Sequence, residues 1–220
     1  MIADGSGAMA LLTDIVRIGH LFFMAMGIGC VVATHAGTLR SLNAPLSAPR
    51  LAQIEHVHGL LMAALVGAWV TGVVLVYLRT GGVIAEFSPK LWIKLMVVSV
   101  LMLTALAVRR HVMPVLEAAV GRRLLDLGFG AKLRLAVFSG LSAAGWSSAL
   151  ILGASQAVKA MDWAPLISFF GLLYLAGLGG AVTAAAFAHL ADWVVKCWNE
   201  DGGEAPGLNT GLDSPAERLP

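Results

Sequence analysis

Residues 17–35 read RIGHLFFMAMGIGCVVATH, and between His20 and His35 no residue is charged. Wound into a helix rising 1.5 Å per residue, the interval between the two imidazoles covers about 22 Å, most of a hydrocarbon core of roughly 30 Å. The stretch therefore predicts a membrane span with titratable groups at two depths. An ionisable side chain in lipid is costly, which makes His20, near mid-depth, the first candidate functional residue. Arg17 lies one turn away on the same face. A hydrogen-bonded core histidine is the plain structural alternative for His20.

Working outward, the whole chain shares this character. Of its 220 residues 58% are hydrophobic and only 13% charged, with a mean hydropathy of +0.82, too little polar surface to coat a soluble globule. Apolar runs cover residues 10–34, 51–78, 89–108, 135–158 and 165–195. They predict an all-α integral membrane bundle of five transmembrane helices, a single domain over residues 1–197, with a disordered cytoplasmic tail at 198–220. The N-terminus has neither a basic region nor a convincing small-residue cleavage site, so the first run is expected to be retained. Ser47 with Pro49, and Ser88 with Pro89, mark helix starts. RTGGVIAEF at 79–87 reads as a short turn around a glycine pair. The amphipathic stretch 115–134, VLEAAVGRRLLDLGFGAKLR, reads as a helix extension or interfacial helix. Small residues in the fourth and fifth spans, Gly140, Gly145, Gly177 and Gly180 among them, predict that these two pack tightly on each other or on a cofactor.

Basic residues set the expected orientation. Arg40 and Arg50 lie in the first loop and Arg109, Arg110, Arg122, Arg123, Lys132 and Arg134 in the third, whereas none precedes Arg17. The positive-inside rule puts the N-terminus outside and the C-terminus in the cytoplasm. His35, His56, His58, His111 and His189 then share the cytoplasmic level, a reasonable constellation for a buried heme or metal site. Interfacial polarity alone accounts for two or three of them, His111 beside two arginines first. His56 and His58 diverge by about 200° on a helix, so at most one faces a common centre. His58 shares its face with Met62, Leu65 and Trp69, while His56 shares its own with Gly59 and Ala63, smaller neighbours that leave more room for a porphyrin. Asp192, three residues after His189, is in reach to orient that ring. Cys30 and Cys197 form no paired motif and read as structural. The absence of a Rossmann fingerprint, P-loop, HExxH, CxxCH or nucleophile elbow argues against a soluble-cofactor enzyme or hydrolase, and nothing points to nucleic acid.

The first span has R-x-x-H-L (Arg17, His20, Leu21), then Gly27 and an exit histidine, His35; the second has Thr71-Gly72; the third opens Trp92-Ile93-Lys94-Leu95. These features resemble the bacterial membrane protoporphyrinogen oxidases of the HemJ type and the related CopD-like membrane domains, over about the first three spans. The resemblance implies a heme b protein in which His20 is an axial-ligand candidate and Lys94 is functionally important. The chain departs from that pattern at Trp92, where the family usually has histidine, and at His56-Val57-His58-Gly59, where it has a Pro-Gly-Met entry.

Taken alone, Lys94 either snorkels to the outer headgroups or faces inward at a depth similar to His20, where its charge suits a heme propionate or quinone oxygen. The expectation is a bacterial inner-membrane protein, with lipid around it, that binds heme b and moves electrons between a quinone or porphyrin-like reductant and a partner. Arg17 and Lys94 are its candidate catalytic residues, and His20, His35, His56, His58 and His189 its candidate cofactor ligands. Two readings from other classes stand beside it. In one, the chain handles a metal ion through His20, His35, His56 and His189. In the other, it is an accessory subunit that docks through its glycine-rich spans with a second copy or a larger membrane complex.

Overall fold

A chain this apolar satisfies its backbone polar groups internally, and helix is the arrangement that does so within each segment. The computed structural model describes residues 5–40 and 42–200, and these form α1 (Gly5–Arg40), α2 (Ala48–Thr80), α3 (Pro89–His111), the short α4 (Met113–Glu117), α5 (Phe129–Ala154) and α6 (Trp163–Glu200). Five stretches, Gly7–Arg40, Ala48–Thr80, Pro89–Glu117, Phe129–Ala154 and Trp163–Val194, are long and apolar enough to cross a membrane, the third of them taking in both α3 and α4. No strand occurs among the described residues, only two isolated bridges. The protein is therefore an all-α, multi-pass membrane bundle.

Both Ser-Pro pairs open helices as expected. Ser47 and Ser88 take extended conformations and the helices begin at Ala48 and Pro89. Neither hydroxyl caps its helix. The first backbone bonds instead run from Leu51 N–H to the Ser47 carbonyl, 3.0 Å, and from Leu91 and Trp92 N–H to the Ser88 carbonyl, 2.9 and 3.2 Å. Gly81, at φ 59°, ends α2 by donating to the Tyr77 carbonyl, the left-handed stop that glycine makes cheaply. Helical bonding runs past the apolar stretches, so α1 reaches Arg40 and α6 reaches Glu200. The first three residues of the expected tail thus belong to α6, and the rest of it lies outside the described residues.

One expectation fails in shape. Residues 115–134 do not form a continuous interfacial helix: α4 stops at Glu117, Gly121 turns at φ 84°, a 3₁₀ turn covers Leu124–Asp126, and α5 starts at Phe129. The apolar residues of this stretch fold inward. Leu116, Ala119 and Leu127 join Leu46, Val112 and Met113 in a small core of their own. This loop is tied to the first one by Leu46 N–H donating to the Arg122 carbonyl, 2.9 Å, and Gly121 N–H donating to the Leu46 carbonyl, 2.8 Å.

Two helical hairpins, α1 against α2 and α5 against α6, flank α3, which packs mainly on α5. The main core lies along α3, where Ile93, Val97 and Leu101 meet Leu65, Trp146 and Phe170. The α5/α6 contact is as close as their glycines suggest: a Cβ on Gly140 would stand 2.5 Å from the Gly177 carbonyl oxygen, and one on Gly177 2.9 Å from the Gly140 oxygen. Gly180, by contrast, has nothing within 4 Å. Large apolar side chains face outward, among them Ile18, Phe22, Leu172 and Phe187, as a lipid-facing surface requires.

Candidate functional site

Where the long helices converge under the two tied loops they leave a cavity of about 580 Å³. It exists because the helices meeting there offer little bulk: α6 contributes Ala181, Ala184, Ala185 and Ala188, and α5 contributes Gly140, Ser142 and Ala143. Leu42, Val112, Met113, Leu116, Leu124 and Leu125, between the long helices, line one end of it. A volume in the range of roughly 300–1,000 Å³, mostly apolar with a few polar groups, is that of a cofactor or small-molecule site.

Four of the lining side chains carry the chemistry. His58 of α2 is 8% exposed; its ring lies by the Ala105 carbonyl of α3, and its Nε2 has no hydrogen-bond partner. His35 of α1 is half-buried, its Nε2 2.9 Å from Ser139 Oγ. Lys132, on the first turn of α5, has a side chain 5% exposed, with Nζ 3.7 Å from Asp192 Oδ2 and no hydrogen bond. Trp146 Nε1 is likewise buried and unbonded. An orphaned buried polar group costs about 1–3 kcal/mol. Three of them on one cavity are groups arranged to bond something other than their own chain.

Of the histidines expected at this end, only His35 and His58 line the cavity. His56 is exposed, reversing the expectation that its side held the room: Gly59 and Ala63 are exposed with it, on the outside of the bundle. His189 is exposed and lies against Phe129 with ring centroids 5.1 Å apart, and Asp192 extends toward Lys132. His111 stacks on Phe138 at the surface. No three His, Cys, Asp or Glu side chains among the described residues come together as a metal-binding group. Cys30 and Cys197 are free thiols.

His20 belongs to the other half of the bundle. Its Nδ1 is 3.0 Å from Thr71 Oγ1, and the Thr71 hydroxyl donates its single proton to the Gly67 carbonyl at 2.6 Å. The threonine oxygen therefore accepts and Nδ1 carries the hydrogen, an arrangement that in the neutral form of the ring leaves the lone pair on Nε2. Gly72 lies under the ring, where an added Cβ would meet Cε1 at 3.4 Å. Lys94, half-buried on α3, is close enough for its charge to act on His20. Arg17 is exposed and paired with Asp14 at 2.9 Å.

Lys132 escaped the sequence reading as a site residue, although a signal was present. It heads the stripe Lys132, Ala136, Ser139, Gly140, Ala143, and small residues at helical spacing mark the face that packs inward in lipid. A lysine at the head of that stripe is carried inward with it. Compared with known protein families, with known proteins and with solved structures, the chain matches none.

Proposed function

We propose that the protein is a heme-b-binding redox protein of the bacterial inner membrane, N-terminus outside and C-terminus in the cytoplasm. It would exchange electrons between a quinone or porphyrin-like reductant and a partner. The observation that carries this reading is His58 Nε2, a buried imidazole nitrogen without a partner on the wall of an apolar cavity of about 580 Å³. Neutral imidazole is a standard axial ligand of heme iron, so the residues present fit the group.

When bound, heme b supplies a one-electron redox change at its iron. The chain supplies the rest. His58 would hold the iron through Nε2, and His35, on the same cavity with its Nε2 hydrogen-bonded to Ser139, is the candidate for a second imidazole contact. The alanines of α6 and the leucines of the loops give the cavity an apolar wall, and an apolar shell of this kind tunes redox potential. His20 and Lys94, in the other half, would meet the reductant: Nε2 of His20 can accept a proton, and the Lys94 ammonium suits a quinone oxygen.

The test is a reduced-minus-oxidised absorption spectrum of the detergent-purified chain. Narrow low-spin heme b bands that vanish in His58→Ala are the expected result. A flat spectrum from folded protein produced with ample heme would discard the proposal.

A further inference from the structure

We infer that the cavity is built for a ligand that carries a carboxylate, and that Lys132 receives it. The inference rests on the heme reading for the ligand's body, since heme b carries two propionates. It stands, however, on separate observations.

Burying an ammonium is costly unless it is paired and hydrogen-bonded. Lys132 is buried and its nearest anion, Asp192 Oδ2, is 3.7 Å away, too far for a hydrogen bond. The charge is partly compensated while the donors of Nζ remain unspent. The cavity lining contains Lys132, His35 and His58 and no aspartate or glutamate. Its potential is therefore biased toward an anion, and the start of α5 adds the positive end of a helix dipole. Position completes the argument. Lys132 lies three residues into α5, about 5 Å along the axis, whereas His58 lies ten residues into α2, about 15 Å. Both helices start beneath the two tied loops, so the amine sits near the headgroup end and the imidazole deeper. A ligand with an apolar body and an acidic end matches that order.

Fatty acids share this chemistry with heme, and one experiment separates the sources. The full chain in detergent is titrated with hemin, with hemin dimethyl ester, in which the carboxylates are blocked, and with oleate, using wild type, Lys132→Met and Lys132→Arg. The expected result is that Lys132→Met weakens hemin binding about tenfold or more, as the loss of a charge-assisted hydrogen bond does. The ester should bind wild type and Lys132→Met alike, and Lys132→Arg should recover most of the affinity for hemin. Hemin bound equally by wild type and Lys132→Met, or hemin and ester weakened equally, would overturn the role of Lys132 and leave the heme reading intact. Oleate bound in a Lys132-dependent way by a chain that ignores hemin would support the carboxylate site and remove the heme reading. Binding of neither acid would remove both.

Discussion

At His20 the ring is held by the protein itself: Nδ1 meets Thr71, Thr71 meets Gly67, and a glycine makes room beneath the ring. At His58, at the other end of the bundle, a buried nitrogen faces an apolar cavity with no bond to any side chain or carbonyl. Both are histidines on membrane helices that carry a second histidine, and composition does not distinguish them. Each ring has a protein oxygen beside it, Thr71 Oγ1 for His20 and the Ala105 carbonyl for His58. The difference lies in the nitrogen that remains: Nε2 of His58 is buried and unbonded, and a buried nitrogen left open costs stability that a ligand or a water can repay.

The contrast is broken or sharpened by substitution. The largest effect is expected at His58: His58→Ala abolishes the heme spectrum, whereas His20→Ala leaves it in place, as absorption spectra of the two purified variants would show. Equal loss in both would merge the two regions into one site. Next comes the helix contact that frames the cavity. Gly177→Ala drives a methyl toward the Gly140 backbone and should cost about 1–3 kcal/mol, as overpacking does. Gly180→Ala, in open space, should stay within about 0.5 kcal/mol. Thermal unfolding of both in one detergent checks the pair. Gly27→Ala would bring a methyl into the Trp146 indole, which lines the cavity; it should shift the tryptophan emission and weaken ligand binding several-fold. The smallest effect is expected at Thr71→Val, which removes the threonine acceptor for His20 while the Ala68 backbone stays beside the ring. Hydrogen bonds between membrane helices average about 0.6 kcal/mol, and the loss should be of that order, read from the unfolding midpoint.

The five spans, their order and both Ser-Pro helix starts were legible because hydropathy and proline geometry act locally. Residues 115–134 were not, because an amphipathic segment has the same pattern whether its apolar side meets headgroups or a neighbouring loop; the turn at Gly121 decides, and its φ depends on the pairing with Leu46. The choice between His56 and His58 failed for a related reason. Spacing establishes that the two face apart, but small neighbours mean room only on the side where other helices stand. Lys132 was counted among the charges of a loop, although its stripe of small residues places it on the packed face of α5.

The paired bonds between Leu46 and residues 121 and 122 have a kinetic meaning. They lace together two segments at one end of a cavity that is otherwise open to its surroundings, so they hold the rim still while the way in runs beside them. Exchange of a guest would then not wait on local unfolding of the lacing. Its occupancy would follow the supply of the guest throughout the life of the protein.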